Sequence, residues 1–338
     1  MKPKVSVVIP TLNSGRTLRE CLASIRAQDY PADRLEIIVA DAGSSDDTLA
    51  IAEEHAVDRV VENPRKTGEA GKSEGIRVAG GEIVALVDSD NILEGNDWLS
   101  RLTAPFEDEE ISIVEPLRFT YRPQDPALVR YFALLGMNDP VCLFTGNYDR
   151  YSAITDTWTE MPVDAEDKGD YLKLRARGDA LPTMGANGIL FRRSLLEHVA
   201  WEPYFSDIDF VYDAVTKTRA GLAKVKTGIV HLFCTRLADF GRKQNRRVRD
   251  FLFFSARRER KYPWTARHKR GILRFCVYSA CVVPLMVQMV RGYRRCADKA
   301  WWYHVPVCEI TLFVYASAVI GGWLGVKPRI GSRERWQQ

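Results

Sequence analysis

The sequence lacks the cysteine and histidine patterns of several protein classes. Its 338 residues include seven cysteines and five histidines, with no Cys-x-x-Cys pair and no cluster of the two types. Zinc sites and disulfide scaffolds depend on such spacings, so the cysteines are predicted to be reduced, buried thiols. No apolar signal segment follows Met-Lys-Pro-Lys, and we therefore expect the folded domain to remain in the cytoplasm.

The sequence also has neither a strong net charge nor the low hydrophobic content of disordered chains. The formal net charge is +4, with 46% hydrophobic and 27% charged residues, which excludes a disordered chain. The length suffices for one large domain or two small ones. The positive charge is concentrated, since residues 241–274 contain thirteen Lys or Arg and two acidic residues. Nucleic acid is not an expected partner.

The first part of the chain alternates strand patterns with helix patterns. Apolar strands are predicted at residues 5–10, 35–41 and 59–61, and helical spacing follows the first two of them. Capping residues precede both predicted helices. Such alternation predicts an α/β fold with a Rossmann-like, mostly parallel sheet and right-handed crossovers.

An apolar run near the centre of this region ends in two carboxylates. The run is Glu82-Ile-Val-Ala-Leu-Val-Asp-Ser-Asp90, which predicts a strand buried on both faces. In an extended chain Asp88 and Asp90 point to the same side, so both could face one Mg²⁺ or Mn²⁺ ion that also binds substrate phosphates. The alternative interpretation is a merely acidic exit from the strand.

A segment rich in glycine and lysine precedes that run. Residues 65–75 contain three glycines together with Lys66 and Lys72. Glycine allows backbone N–H groups to approach an anion, so the segment is predicted to be a phosphate-binding loop. It is not a P-loop, because that motif requires glycine where Lys66 stands. A flexible surface loop is the alternative.

Taken together, these segments resemble family 2 glycosyltransferases of the GT-A fold. Ile-Pro-Thr-Leu-Asn13, Asp41 with Gly-Ser-Ser-Asp-Asp-Thr48, the glycine/lysine segment and Asp88-Ser-Asp90 follow the family's order over about ninety residues. The resemblance implies a metal site at Asp90 and Asp88 beneath the donor diphosphate. It implies that the nucleotide-sugar donor is bound by Pro10, Thr11, Asn13, Asp41, Lys72 and Asp88.

The second half of the chain carries less regular matches to the same family. Ser206-Asp-Ile-Asp-Phe210 resembles the family's Glu-Asp-x-Asp-Leu segment, with serine in place of the first Glu. The resemblance implies that Asp207 is the catalytic base, with Asp209 as the second candidate. Two exposed carboxylates at a helix N-terminus are the alternative. His231, after a short predicted strand, is either a further metal ligand or a structural residue.

A basic segment follows His231. Gln244-Asn-Arg-Arg-Val248 resembles the Gln-x-x-Arg-Trp segment of processive family members, but valine replaces the tryptophan, so processivity is not expected. The resemblance implies that Arg247 contacts the diphosphate or a phosphorylated acceptor.

Two apolar stretches lie near the end of the chain, at residues 275–290 and 305–326. The second is long enough to cross a bilayer, whereas the first is short and contains Pro284. We predict a membrane hairpin or interfacial helices at the cytoplasmic face, where the basic segment would meet anionic lipids. A buried helical pair of a soluble protein is the alternative.

These features predict three regions. Residues 1–235 form the GT-A catalytic domain, with a nucleotide-sugar half (1–95) and an acceptor half (96–235). Residues 236–270 form a basic juxtamembrane helical segment, and residues 271–338 form a membrane hairpin and tail.

The predicted function is an inverting transfer of a sugar, dependent on Mn²⁺ or Mg²⁺. The donor is a UDP- or GDP-sugar, and the acceptor is a polyprenyl phosphate or another lipid-linked molecule in contact with membrane lipids. Three alternatives remain open: a non-catalytic nucleotide-sugar-binding protein, a glycosyltransferase with a soluble acceptor, and a nucleotidyltransferase.

Overall fold

The computed structural model describes residues 2–178, 180–185, 187–256, 260–263 and 266–324. These residues form two compact units. The first comprises the described residues up to 120 and those of 162–232, and the second comprises 121–161 and the described residues from 233 onward. The predicted boundary at residue 235 lies close to this division. Residues 121–161, however, pack with the C-terminal part of the chain rather than with the predicted acceptor half.

The described residues form the following strands and helices. The strands are β1 (Val5–Thr11), β2 (Leu35–Asp41), β3 (Arg59–Glu62), β4 (Ile83–Leu86), β5 (Asn91–Leu93), β6 (Ile111–Phe119), β7 (Asp164–Asp167), β8 (Tyr171–Arg175), β9 (Ile189–Arg192) and β10 (Gly221–His231). The helices are α1 (Gly15–Arg26), α2 (Thr48–Glu54), α3 (Gly68–Val78), α4 (Trp98–Thr103), α5 (Ala127–Leu135), α6 (Val141–Thr145), α7 (Asp207–Asp213), α8 (Leu237–Ala256), α9 (Ala266–Cys281), α10 (Val283–Arg295) and α11 (His304–Trp323).

All the strands belong to one sheet in the first unit. Its order is β3-β2-β1-β4-β9-β6-β10-β8-β7, and β5 pairs with β10. Of these strands, β5, β8 and β9 run in the direction opposite to the rest. The prediction of an α/β fold with a mostly parallel sheet is therefore confirmed.

The carboxyl ends of β1, β2 and β4 meet at one edge of the sheet. Thr11 and Asp41, the last residues of β1 and β2, are register partners. The strand predicted to reach Asp90 is shorter than expected, because β4 ends at Leu86 and a turn follows. Asp88 and Asp90 therefore lie beyond the strand, and the alternation that would aim both side chains at one point does not apply to them.

The glycine/lysine segment is mostly a helix, so the predicted loop conformation is wrong, whereas phosphate binding by this segment stays a prediction. Thr67 caps α3 by accepting a hydrogen bond from the N–H of Ala70 at 3.0 Å. The glycines allow this helix to lie against β1. A Cβ added at Gly75 would stand 2.3 Å from Cγ1 of Val8, and one at Gly71 would stand 2.9 Å from Cβ of Pro10.

The second unit is helical and has its own apolar core. Aromatic residues of α5 and α6, such as Phe132 and Phe144, are buried there with Phe275 of α9 and Trp301. Tyr148 is also buried in this cluster.

The first predicted apolar stretch is not one straight helix. The axes of α9 and α10 differ by 97° across a break at Val282. Pro284 explains the break, because proline has no N–H to donate and its ring clashes with the preceding turn of a continuous helix. In the described part of the chain, the segment Lys299–Trp323 is long and apolar enough to cross a membrane, and the bent α9–α10 pair also qualifies if it counts as one broken span.

Candidate active site

Asp41 organises the loop that follows β2. One carboxylate oxygen accepts hydrogen bonds from the hydroxyls of Thr11 (2.9 Å) and Ser44 (2.6 Å). The other accepts from the N–H groups of Gly43 (3.0 Å) and Ser44 (2.8 Å). Burial opposes ionisation here, but these hydrogen bonds keep the pKa of Asp41 below its usual value. A carboxylate has about four acceptor positions, so these four hydrogen bonds use them to hold the loop after β2 in place. Contact of Asp41 with the donor stays a prediction.

The turn after β1 is joined to the same loop. The N–H of Asn13 donates to the Ser44 hydroxyl at 2.8 Å, and the Asn13 side-chain oxygen accepts from the N–H of Ser45 at 2.9 Å. Asn13 has a φ of +51°, a conformation that asparagine tolerates better than most residues. The predicted donor residues Pro10, Thr11, Asn13 and Asp41 are thus neighbours at one edge of the sheet.

Lys72 contacts the predicted catalytic base. Its side chain extends from α3, is 7% exposed, and places Nζ 2.9 and 3.0 Å from the two carboxylate oxygens of Asp207. Asp88 lies on the other side, with its carboxylate 3.7 Å from the same Nζ. Lys72 thus lies between two predicted site carboxylates, and its predicted contact with the donor phosphates stays a prediction.

Both members of this ion pair have shifted pKa values. Burial raises the pKa of Asp207 to about 6; Lys72 opposes the increase, whereas the negative charge of Asp88 adds to it. Burial would lower the pKa of Lys72, but the carboxylates of Asp207 and Asp88 outweigh that effect and raise it. A carboxyl group with a pKa near neutrality is well suited to accept a proton in a reaction.

Asp207 and Asp209 occupy different environments. Asp207 begins α7 and its side chain is 18% exposed. Asp209 is buried, and its carboxylate accepts a hydrogen bond of 2.7 Å from the Ser206 hydroxyl. Ser206, which stands where the family has glutamate, therefore donates a hydrogen bond to Asp209 in the same turn.

The pairing of β5 with β10 brings His231 to Asp90. His231 and Asn91 are register partners, and the N–H of Leu232 donates to the Asp90 carbonyl at 2.9 Å. As a result, Nε2 of His231 lies 3.6 Å from a carboxylate oxygen of Asp90. Two ligands at right angles on a cation with bonds of 2.0–2.1 Å are about 3 Å apart. The observed separation of 3.6 Å is wider, so one cation could bind both atoms only at a wider angle or after a small movement of either side chain.

The predicted three-residue metal site does not assemble from the protein alone. In the portion of the chain described above, no group of three or more His, Cys, Asp or Glu side chains is arranged to hold a metal ion. Asp88 faces Lys72, while Asp90 faces His231. A cation here would take its other ligands from the substrate or from water.

Asn187 and Gly188 contact the end of β4 and the turn that follows it. The N–H of Gly188 donates to the Leu86 carbonyl at 3.0 Å, and the Asn91 side chain donates to that of Asn187 at 3.1 Å. The neighbouring strands β6 and β10 carry a buried ion pair between Glu115 and Lys224, which the sequence analysis did not identify. A charged residue inside each of two apolar strands was the signal that could have revealed it.

Arg247 belongs to the second unit. Its guanidinium donates to the side-chain oxygen of Gln244 at 2.6 Å and to the Asn138 carbonyl at 3.2 Å, and it lies 3.7 Å from the Asp139 carboxylate. The two polar residues of the predicted Gln-x-x-Arg segment are thus in contact. The predicted role of Arg247 at the diphosphate stays a prediction.

Comparisons with known proteins identify the family of the chain. The sequence profile of glycosyl transferase family 2 matches residues 6–199. Glycosyltransferase AglE of Haloferax volcanii is 29% identical over 141 residues, which is 40% of this chain and 46% of that protein. Glycosyltransferase GlyG of Streptococcus pneumoniae is 32% identical over 143 residues, 41% of this chain and 46% of the relative. The chain thus covers less than half the length of either relative.

A solved structure shows the same fold. The mannosyltransferase PcManGT from Pyrobaculum calidifontis, in complex with GDP-Man and Mn²⁺, matches with a TM-score of 0.53 and 19% identity, covering 95% of this chain and 88% of the mannosyltransferase. The expected GT-A fold is therefore confirmed. The family profile matches more than half of the residues, so the chain belongs to glycosyl transferase family 2.

Proposed function

We propose that the protein is an inverting, metal-dependent glycosyltransferase that uses a nucleotide-sugar donor and a lipid-linked acceptor. The observation that carries the proposal is the constellation at the carboxyl edge of the sheet, where Lys72 pairs with Asp207 and Asp90 faces His231. A proton acceptor and a pair of metal-ligating groups on one sheet edge suit sugar transfer from a diphosphate leaving group.

Asp207 is proposed to act as the base. It takes the proton of the acceptor hydroxyl while that oxygen forms a bond to the anomeric carbon, and the bond between this carbon and the diphosphate oxygen breaks on the opposite face. The leaving group departs as a nucleoside diphosphate, and no covalent intermediate with the protein forms. The pKa of about 6 lets Asp207 be ionised at neutral pH yet basic enough to hold the proton.

Other residues are proposed to bind and orient the donor. The Pro10–Asn13 turn and the loop held by Asp41 form the nucleoside pocket, and Lys72 orients the carboxylate of Asp207. Asp90 and His231, assisted by Asp88, would hold a divalent cation, which supplies positive charge to the departing diphosphate. The GDP-Man and Mn²⁺ in the mannosyltransferase of the same fold support this choice of donor class and cofactor.

The membrane and the acceptor are proposed from the second unit. Fifteen of the twenty exposed large apolar side chains among the described residues lie between Ile272 and Leu324. Exposed apolar surface of this extent indicates contact with a membrane or a partner. We propose that α11 and the bent α9–α10 pair attach the enzyme to the cytoplasmic face, and that its acceptor is a polyprenyl phosphate or a similar lipid-linked molecule.

The test uses the full-length protein in detergent. UDP- and GDP-sugars are screened with Mn²⁺ by thermal shift, since a ligand that binds the folded state raises the melting temperature. The sugars that bind are then assayed with polyprenyl phosphate. Release of nucleoside diphosphate supports sugar transfer, whereas release of pyrophosphate would identify a nucleotidyltransferase, and binding without turnover would identify a carrier.

Three variants assign the residues. D207N is expected to keep its donor affinity and to lose about 10²–10⁴-fold in kcat, because proton abstraction is a transition-state role. D209N is the matched control, and a large loss in D209N alone would mean that Asp209 is the base. D90N is expected to keep the fold and lose Mn²⁺-dependent transfer; normal activity with a normal response to chelator contradicts the metal assignment.

A further inference from the structure

Glu115 and Lys224 form an ion pair inside the first unit. They are register partners on the adjacent parallel strands β6 and β10. Glu115 Oε2 lies 2.6 Å from Nζ of Lys224, and both side chains are 0% exposed. The proposed mechanism does not use either residue.

Stability alone is a weak explanation for this pair. Removing two charges from water costs more free energy than the attraction within most buried ion pairs recovers. Apolar residues of similar size often stabilise a protein core at least as much. Buried ion pairs are better explained where they fix one arrangement of the chain among several. The other contacts of Glu115 are therefore informative.

Glu115 also holds the segment that lies against the proposed base. Its second oxygen, Oε1, accepts a hydrogen bond of 2.6 Å from the N–H of Gly185. Gly185 has a φ of +123°, and a Cβ added there would stand 2.7 Å from the carbonyl carbon and oxygen of Asp207. The backbone of Gly185 is therefore in direct contact with the residue that begins α7.

Asp207 is thus constrained from two sides. Lys72 fixes its carboxylate, and Gly185 lies against its backbone. The hydrogen bond from Gly185 to Glu115 fixes the position of that glycine relative to β6, and the ion pair with Lys224 holds the Glu115 side chain in place. A displacement of 1 Å at a reacting group can reduce the rate about a hundredfold.

We infer that Glu115, held by Lys224, is a positioning residue for the proposed base: it sets the place of Asp207 through the N–H of Gly185. This inference rests on the proposed role of Asp207. It concerns kcat rather than donor binding, because the donor residues Thr11, Asn13 and Asp41 are held by a separate hydrogen-bond network.

The test compares two double variants of the full-length protein. E115Q/K224M removes both charges but keeps a side-chain oxygen that can accept from Gly185. E115M/K224M removes the charges and that acceptor as well, with a side chain of nearly the same size. The two variants differ in the side-chain amide at position 115, whose oxygen can accept the hydrogen bond from Gly185, and neither variant retains a charge of the buried pair.

Nucleoside diphosphate release is measured with UDP- and GDP-sugars, Mn²⁺ and polyprenyl phosphate, beside melting temperatures. We expect E115Q/K224M to keep kcat within a few-fold of the parent, and E115M/K224M to lose about 10- to 100-fold with the donor KM unchanged. Equal kcat values in the two double variants would overturn the inference. So would an E115M/K224M protein that fails to fold while E115Q/K224M folds, since the bond would then serve stability.

D207N is measured in the same series to separate the two claims. If D207N retains normal turnover, the proposed base is wrong whatever residue 115 does. If D207N is inactive but the two double variants turn over equally, only the positioning role of Glu115 is lost.

Discussion

The side chain of Lys72 lies between two carboxylates, 2.9 Å from Asp207 and 3.7 Å from Asp88. Burial disfavours the charged form of Asp207, and the ammonium group of Lys72 counteracts part of that effect. The lysine therefore keeps the proposed base ionised at a lower pH than burial alone would allow. Its role in this arrangement is electrostatic and orienting.

This arrangement predicts the pH dependence of the reaction. A base must be deprotonated to act, so kcat/KM should fall as the pH decreases through about 6, the pKa of Asp207. Replacing Lys72 with methionine removes the charge that lowers this pKa, so in K72M the decline should move about one to three units towards higher pH. The measurement is a pH profile of kcat/KM, with K72R as the charge-conserving control. An identical acid limb in K72M and the parent contradicts the prediction.

The sequence could predict the site acids but not their pairing. Asp41, Asp88 and Asp90 each follow an apolar run, and the ends of parallel strands meet at one edge of a sheet. Lys72 and Asp207 are separated by 135 residues, and no periodicity in the chain relates them. Local pattern also suggested that Lys72 contacts phosphates, because a lysine among glycines is typical of loops that bind anions.

At the scale of elements, α3 differs most from the sequence prediction, because a loop was predicted where the structure has a helix. Its three glycines lower helix propensity, and they obscure the apolar periodicity that identified other helices. In the structure, Gly71 and Gly75 remove side chains from the face that lies against β1. That close approach lets Lys72 reach Asp207. The glycines serve helix–strand packing, which is visible only once both elements are placed.

Alanine substitutions at two glycines of α3, Gly75 and Gly68, are therefore expected to differ in their effect on stability. In G75A the new methyl group would meet Cγ1 of Val8 at 2.3 Å, and Val8 is a fully buried, branched residue that cannot turn away. We expect a loss of about 1–3 kcal/mol in the free energy of unfolding.

Gly68 in the same helix is the matched control. Nothing lies within 4 Å of a Cβ added there, so G68A should be neutral or more stable by up to about 1 kcal/mol. Urea unfolding of both variants provides the measurement. If G75A is as stable as G68A, the close packing of α3 on β1 is not as described.

Residues 123–182 have no clear apolar period in the sequence. In the structure, the described residues of this region contain α5, α6 and two strands of the sheet. The two parts of this region belong to different compact units, which explains why no single pattern described it. Helix α5 is anchored by Arg130, which bonds the Asp298 carboxylate at 2.8 and 3.0 Å. Such contacts join segments that are far apart in sequence, so local sequence patterns cannot predict them.

At the scale of the whole molecule, the C-terminal apolar residues have two roles. Phe275, Leu285, Trp301 and Val307 are buried in the core that also contains Phe132. A chain cut after Pro263 would lose all four, so we expect it to lose the fold of the second unit. Such a truncation therefore cannot separate membrane attachment from folding. The exposed apolar side chains, which the core does not need, provide the better test.

A charge near the middle of the segment Lys299–Trp323 distinguishes a spanning helix from a surface helix. Phe313 is 73% exposed and close to the centre of that segment. If the helix spans a bilayer, F313R should cost about 2.5–3.5 kcal/mol of insertion free energy and shift the protein out of carbonate-washed membranes. W302R is the matched control, because Trp302 is 67% exposed but close to one end, where arginine can reach the headgroups. Equal membrane fractions for the two variants, with both soluble in the absence of detergent, would mean that this helix lies outside the bilayer and would remove the main support for a lipid-linked acceptor.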